Sequence, residues 1–314
     1  MEENGNLPEN ALAKKVQIGD YVAYDPTRGV TDASKLTYIS PIGSGPSHGN
    51  GHAEQTFTAN DTTEWRVLNK NETTGEVVLI SAEPINNDAG GVFGMKGAIG
   101  YLYGEQELNE ICKIYGYGRG ADTTKTFTYE TGDTVEGLDK GTITGSGARS
   151  INIEDLNKIT GYDPTTFTEQ VDEITYKYGD SYIHIIKYPS KSEGFIEAKE
   201  RSDTFTGYYY NVSEYIKDTT SNIYRVLFRN KTNNNNVNYW LASRGVYSYS
   251  DHAVFSIGVV EEGEIRMGYQ YLGDNSDNLT SYSGIDGSVR PIVYLKSNIQ
   301  TSGQNENGVW QISE

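Results

Sequence analysis

Side chains that could do chemistry are thinly spread along this chain. In "SHGNGH", His48 and His52 stand four residues apart. They sit in a glycine-rich loop with no third ligand near them, so the stretch reads as a solvated loop and not as a metal site. The glycines of "GYGRGA", Gly116, Gly118 and Gly120, follow a predicted helix. A phosphate cradle must precede its helix so that the N-terminal N–H groups face the anion, which makes this a helix stop and turn. No serine-nucleophile motif occurs. His184, in "YIHIIKY", reads as a strand residue facing solvent or satisfied locally. Carboxylates are plentiful, but no pair stands out in a cleft where glycosidase chemistry could be argued. The single cysteine, Cys112, excludes an intramolecular disulfide, a Cys-rich zinc site and Cys-pair chemistry. The expectation is a protein without catalytic residues, metal or cofactor, held together by packing.

Recognition is the chemistry the sequence does offer. Residues 239 to 260, "YWLASRGVYSYSDHAVFSIGVV", interleave core-like residues with Tyr247, Tyr249, Asp251, His252 and serines. The composition has the same slant: 25 tyrosines beside 8 phenylalanines, with 35 glycines. Tyrosine brings a large, stiff, amphipathic surface at low entropic cost, and Gly, Ser and Asn adapt around it, as in binding loops. A polar β protein whose strands favour tyrosine explains the composition equally well.

Charge narrows the partners. With 26 Lys and Arg against 43 Asp and Glu, the net charge is -17 and the pI about 4.7, so a phosphate backbone is repelled and nucleic acid is an unsuitable partner. No apolar run reaches the roughly 18 residues of a membrane span. The start, "MEENGNLPENALAKK", has neither the basic nor the apolar region of a signal peptide. An exported form would therefore be a mature or trimmed chain.

The elements that must position these residues are mostly strands. "VQIGDYVAYDPT" alternates and closes in a turn, and "TEWRVLNKNETTGEVVLIS" is a hairpin around Asn71 to Gly75 with Trp65, Val67, Val78 and Ile80 as core. "GEQELNEICKIYG" carries Leu108, Ile111 and Cys112 at helical spacing. A second helix lies in "SINIEDLNKITGYDP", with Ser150 or Asn152 as cap and Gly161 and Pro164 as stop. Residues 162 to 236 loosen into Tyr-rich pieces and read as a long insertion with local strands. "AVFSIGVV" and "VRPIVYLKS" are strands, and "NIQTSGQNENGVWQIS" is a closing hairpin. The Asn-x-Ser/Thr sites at Asn60, Asn71, Asn211, Asn230 and Asn278 mark surface, not glycosylation.

"YWLASR", "AVFSIGVVEEGEI" and "SVRPIVYLKSNI", with "VQIGDYVAYDP", "WRVLNKNETTGEVVLISAEPI" and "GARSINIEDLNKITGYDP" upstream, form a pattern that resembles C-type-lectin-like domains of the formylglycine-generating-enzyme type. The likeness is strongest to surface and phage proteins of gut bacteria and covers about residues 16 to 298. It implies an α+β fold with a mixed antiparallel sheet, two short helices and the long irregular insertion at about 162 to 236. A polar leader or stalk remnant at 1 to 15 and a C-terminal hairpin or tail at 299 to 314 would flank it. Relatives often begin with a pilin-like hydrophobic helix.

Some members resemble variable proteins of diversity-generating retroelements, whose last segment is rewritten at adenine positions. Carried over, the fixed frame is Trp240, Leu241, Ala242, Arg244, Val246, Ala253, Phe255, Val260, Gly263, Val289, Arg290 and Pro291. The display positions are Tyr247, Tyr249, Asp251, His252, Val254, Ser256, Tyr269, Tyr271, Asp274, Asn275, Asp277, Asn278, Ser281 and Tyr282. Gly258 departs from the Arg common in relatives. Glu261, Glu262, Met267 and Gln270 lie outside what adenine changes at an asparagine codon yield, so either this copy is undiversified or those positions belong to the frame. The family's oxidase branch needs two cysteines, and its calcium-dependent sugar lectins need Glu-Pro-Asn or Gln-Pro-Asp loops, neither of which occurs.

The resemblance implies a ligand-binding display protein, an adhesin or receptor-binding module. It would sit at the bacterial cell surface, extracellularly or on a phage particle, and meet a protein or glycan ligand on another cell or particle. A carbohydrate-active enzyme or accessory carbohydrate-binding domain is the alternative, because tyrosine-lined clefts with carboxylates also suit sugars.

Overall fold

The computed structural model describes residues 7–41, 54–94, 97–131, 139–161, 185–189, 195–199, 218–231, 234–248, 252–274, 279–280 and 287–313. The architecture is mixed α+β. The N-terminal part gives helix α1 (Leu12–Lys15), β1 (Tyr21–Val22), the hairpin β2 (Thr37–Ser40) and β3 (Gln55–Thr58), and the hairpin β4 (Trp65–Lys70) and β5 (Val77–Ser81). Helix α2 (Gly97–Lys113) leads to the pair β6 (Phe127–Thr131) and β7 (Asp139–Ile143), then β8 (Ala148–Ser150) and helix α3 (Ile153–Thr160). The pair β9 (Ile185–Pro189) and β10 (Phe195–Lys199) precedes helix α4 (Asn222–Phe228). Four strands follow: β11 (Tyr239–Ser248), β12 (His252–Glu261), β13 (Glu264–Asp274) and β14 (Leu279–Thr280). β15 (Pro291–Leu295), β16 (Gln300–Gln304) and β17 (Trp310–Ser313) end the chain.

The main sheet runs β16-β17-β1-β4-β5-β15-β8. It is mixed, because β1 pairs parallel with β17 through Val22 and Trp310 while the other ladders are antiparallel. The chain thus closes on itself. Leu12 and Ala13 of α1 are buried, and Leu12 N–H donates to Ile299 O as Thr301 N–H donates to Asn10 O. Leader and C-terminal hairpin brace one another in the folded body.

Both faces of the central strands are covered. Trp65, Val67, Val77 and Leu79 meet Leu108, Ile111 and Cys112 of α2 in one core. Leu68, Val78 and Ile80 meet Val226, Leu227 and Phe228 of α4 and Leu156 of α3 in the other. The expected core residues are therefore buried but divided: Trp65 and Val67 lie on one side, Val78 and Ile80 on the other. Strands covered on both faces lose the apolar–polar alternation that would reveal this. A bulge between Val67 and Asn69 fits the consecutive burial of Val67 and Leu68.

Local chemistry fixes the ends of these elements. In the β4–β5 turn, Asn71 Oδ1 accepts from Thr73 and Thr74 N–H, and Gly75 takes φ +80° where a Cβ would lie 2.2 Å from Ser297 O. Only glycine fits there. Helix α3 carries a full capping box: Asn152 accepts from Asp155 N–H, Asp155 accepts from Asn152 N–H, and Gly161 closes the helix at φ 73°. Asp155 also takes a two-pronged contact from Arg149 at 2.6 and 2.7 Å. Pro164 lies outside the described residues.

Two helices, α1 and α4, have no counterpart in the sequence reading. In "NIYRVLF" the buried residues are Tyr224, Val226, Leu227 and Phe228, and only Asn222 and Arg225 mark the exposed face, so over seven residues the helical period is too short to stand out. The last part of the expected insertion is consequently core, not excursion.

Candidate ligand-display sheet

The strands β11 to β14 form a separate antiparallel sheet in that order. Its base is fastened on every side. Trp240 Nε1 donates to Phe93 O at 2.6 Å, Trp240 N–H to Ser288 O, and Ala242 N–H to Ile151 O. Ser243 Oγ accepts from Ile153 N–H at the start of α3. Neighbours along β11 alternate between the two cores, with Tyr239 and Leu241 in one and Trp240 and Ala242 in the other. Gly287 stands so close to the Trp240 indole that a Cβ would meet it at 3.1 Å.

The β12–β13 connection is a two-residue hairpin turn. Glu261 pairs with Glu264, while Glu262 (φ 53°) and Gly263 (φ 85°) both adopt the left-handed region. Positive φ at both central positions is the turn whose twist matches paired strands. Asn238 Oδ1 accepts from Glu262 N–H at 3.3 Å, and the Gly263 position faces Tyr224 Oη and Asn236 Oδ1. Glu261 and Glu262, which depart from an adenine-derived set, belong to this turn.

Arg290 locks the base from beneath. It is fully buried, and its guanidinium donates to Val226 O at 2.5 Å and Leu227 O at 2.7 Å, with weaker contacts to Ser81 O and Ala82 O. Burial holds its pKa below the usual arginine range. Its acceptors are backbone carbonyls, including those at the end of α4 that no helical N–H reaches. Of the frame residues with described side chains, Trp240, Leu241, Ala242, Val260, Val289, Arg290 and Pro291 are all buried.

Helix α2 packs against β11, β12 and β13. Ile257 and Val259 share the core with Leu108, Ile111 and Cys112. The Cys112 thiol is buried and its pKa is pushed up by desolvation, which keeps it protonated and unreactive.

Beyond this base the backbone register sorts the expected display positions. Tyr247 pairs with Val254 and Val254 with Leu272; Gly245 pairs with Ser256 and Ser256 with Tyr269; His252 pairs with Asp274. Directly paired positions belong to one face of a pleated sheet. These rows alternate with those of Val246–Phe255–Tyr271 and Arg244–Ile257–Gly268. Tyr271 therefore falls in the row of the frame position Phe255. A register shift between Phe255 and Ser256, with Gln270 as the extra residue, produces this offset.

Tyr249, Asp251, Asn275, Asp277, Asn278, Ser281 and Tyr282 lie outside the described residues, as do His48, His52 and His184. Among the described residues no three His, Cys, Asp or Glu side chains come together as a metal site, and no helix is long and apolar enough to cross a membrane. Sequence reasoning missed Asn238 and Gly287, which seat the turn and the tryptophan. The only signal for either was its place, Asn238 just before "YWLAS" and Gly287 just before "SVRP". The chain matches no protein-family model, no curated protein and no solved structure.

Proposed function

We propose that the chain is a ligand-display protein, an adhesin or receptor-binding module on a C-type-lectin-like scaffold, which meets a protein or glycan ligand through the outer part of β11 to β13. The supporting observation is the register. Tyr247, Val254, Ser256, Tyr269, His252 and Asp274 fall into one set of rows, which at the base of the sheet holds the buried Tyr239, Val260 and Ile265, and the buried Ile257 falls into the other. Beyond the Tyr239–Val260–Ile265 row, the first set can change chemistry while the other keeps the fold. The fastened base of Trp240, Arg290 and the Glu262–Gly263 turn gives such a surface the rigidity that lowers the entropic cost of binding. A cell-surface or phage-particle location, and diversification by a retroelement, belong to the same proposal.

The test uses purified protein against bacterial and host cells and against an array of glycans, with Tyr247→Ala and Tyr269→Ala beside the parent. Retained folding with lost binding supports display. Turnover of a glycan would instead favour a carbohydrate-active enzyme.

A further inference from the structure

Asparagine precedes glycine at Asn4–Gly5, Asn50–Gly51 and Asn307–Gly308, and the last pair lies among the described residues, at the tip that joins β16 to β17. Residues 304 to 308 are all exposed. Just beyond them the half-buried Trp310 closes the fold: it pairs with Val22 of β1, and its Nε1 donates to Asp20 Oδ2 at 2.9 Å. A chemical change at this tip is therefore next to the parallel seam of the main sheet.

The turn is built by Asn305. Its N–H donates to Val309 O, its C=O accepts from Gly308 N–H, and its side-chain Oδ1 accepts from the N–H groups of Asn307 and Val309, each bond at 3.0 Å. Gly308 takes φ +75°, the left-handed residue that ends a three-residue hairpin loop, and a Cβ there would meet nothing within 4 Å. The two asparagines of the tip thus differ. Asn305 commits its side-chain oxygen to the backbone, whereas the Asn307 side chain is exposed and makes no hydrogen bond among the described residues.

An asparagine side-chain carbonyl carbon is an electrophile within reach of the next residue's backbone nitrogen. Glycine hinders that attack least, because it has no Cβ. The Gly308 nitrogen loses its proton to water and bonds to Asn307 Cγ; the Cγ–Nδ2 bond breaks, and ammonia leaves after taking a proton from water. A second water then opens the cyclic imide at either carbonyl, which leaves aspartate or isoaspartate at position 307. Nothing is oxidised or reduced. In the closed turn the Gly308 N–H is held by Asn305 O, so the attack requires local opening, and the Asn305 side chain resists that opening.

We propose that Asn307 is a self-modifying site, where the chain converts an amide into a carboxylate, and that Asn305 is the positioning residue that slows the conversion. Either product adds a negative charge. Isoaspartate also inserts a backbone carbon into the turn, which displaces Gly308 from Asn305 and loosens the seam between Trp310 and Val22. The site is independent of the display sheet and does not rest on that reading.

The experiment incubates the full chain at mildly acidic and mildly alkaline pH and follows the peptide containing residues 305 to 311 by mass spectrometry, with an isoaspartyl methyltransferase to count isoaspartate. The parent is compared with Asn305→Ala and Asn307→Gln. Asn305 and Asn307 are exposed, and unchanged circular dichroism will verify that both variants fold. Conversion at position 307 is expected in the parent, faster at alkaline pH because the attacking nitrogen must be deprotonated. It should be several-fold faster in Asn305→Ala and absent in Asn307→Gln, whose extra methylene disfavours ring closure. Anion exchange should separate the modified parent, which should melt below the fresh protein. An unmodified position 307 in both the parent and Asn305→Ala, or equal rates in the two, would overturn the proposal; equal melting of modified and fresh protein would overturn its link to the seam.

Discussion

The guanidinium of Arg290 lies over the ring of Tyr239, 4.7 Å from its centre, and both residues are fully buried. The pair joins the start of β11 to the end of α4, because the same guanidinium donates to Val226 and Leu227 carbonyls. Arg290→Leu strips several buried carbonyls of their donor at once. Each orphaned group costs roughly 1 to 3 kcal/mol, so a loss of about 3 kcal/mol or more in denaturant unfolding is expected. Arg290→Lys should recover only part of it, since a lysine keeps charge but not the fork.

Trp240→Ala removes a fully buried indole and its bond to Phe93 O, and should cost roughly 3 to 5 kcal/mol. Tyr247→Ala, in the opposite set of rows, should stay within about 0.5 kcal/mol. Equal losses in chemical denaturation would mean that the two sets of rows are misassigned.

Glu107 gives a pH-dependent outcome. Its carboxylate, buried on α2, accepts from Tyr38 Oη at 3.0 Å and Ser40 Oγ at 2.9 Å, and desolvation raises its pKa above the ordinary 4.5. A carboxyl with a raised folded pKa favours the folded state when protonated. That contribution is complete below the unfolded value and disappears as pH rises through the folded one. Glu107→Gln should therefore match or exceed the parent's melting temperature at pH 7, and the difference should move towards the parent as pH falls below 4.5. A variant less stable at pH 7 than at pH 4 relative to the parent would contradict this.

The hairpin turn separates two neighbouring substitutions. Gly263→Ala forces a Cβ onto φ 85° beside Tyr224 Oη, a cost of roughly 1 to 2 kcal/mol. Glu262→Gly relieves the positive φ of Glu262 and should be neutral or stabilising by a few tenths of a kcal/mol. Thermal melts of both variants give the comparison.

The parts of the fold legible in the sequence were those where pattern and structure share a period. The β4–β5 hairpin, the inward Leu108, Ile111 and Cys112 of α2, and the Asn152 and Gly161 ends of α3 all follow from local chemistry. Helix α4 escaped because in a seven-residue helix only Asn222 and Arg225 mark the exposed face, too few to reveal a period. The parallel pairing of β1 with β17 joins residues 288 positions apart, and no local signal announces it. At the site, the frame around Trp240 was readable from its apolar spacing. Tyr271 was not, because a bulge at Gln270 shifts register without leaving a mark in the alternation.

The most direct measurement is the DNA flanking the gene. Display on a diversified sheet predicts a nearby reverse transcriptase and a short non-coding repeat almost identical to the DNA encoding about residues 239 to 293. Mismatches between the two copies should fall where the repeat has adenine, in the codons of Tyr247, His252, Val254, Ser256, Tyr269 and the other display positions. An asparagine codon altered in this way yields Tyr, Ser, Asp, His or Gly, which a solvated strand or loop tolerates. Mismatches spread evenly over Trp240, Phe255 and Pro291 would contradict the account, and a gene with neither repeat nor reverse transcriptase would leave a binding surface that is not diversified.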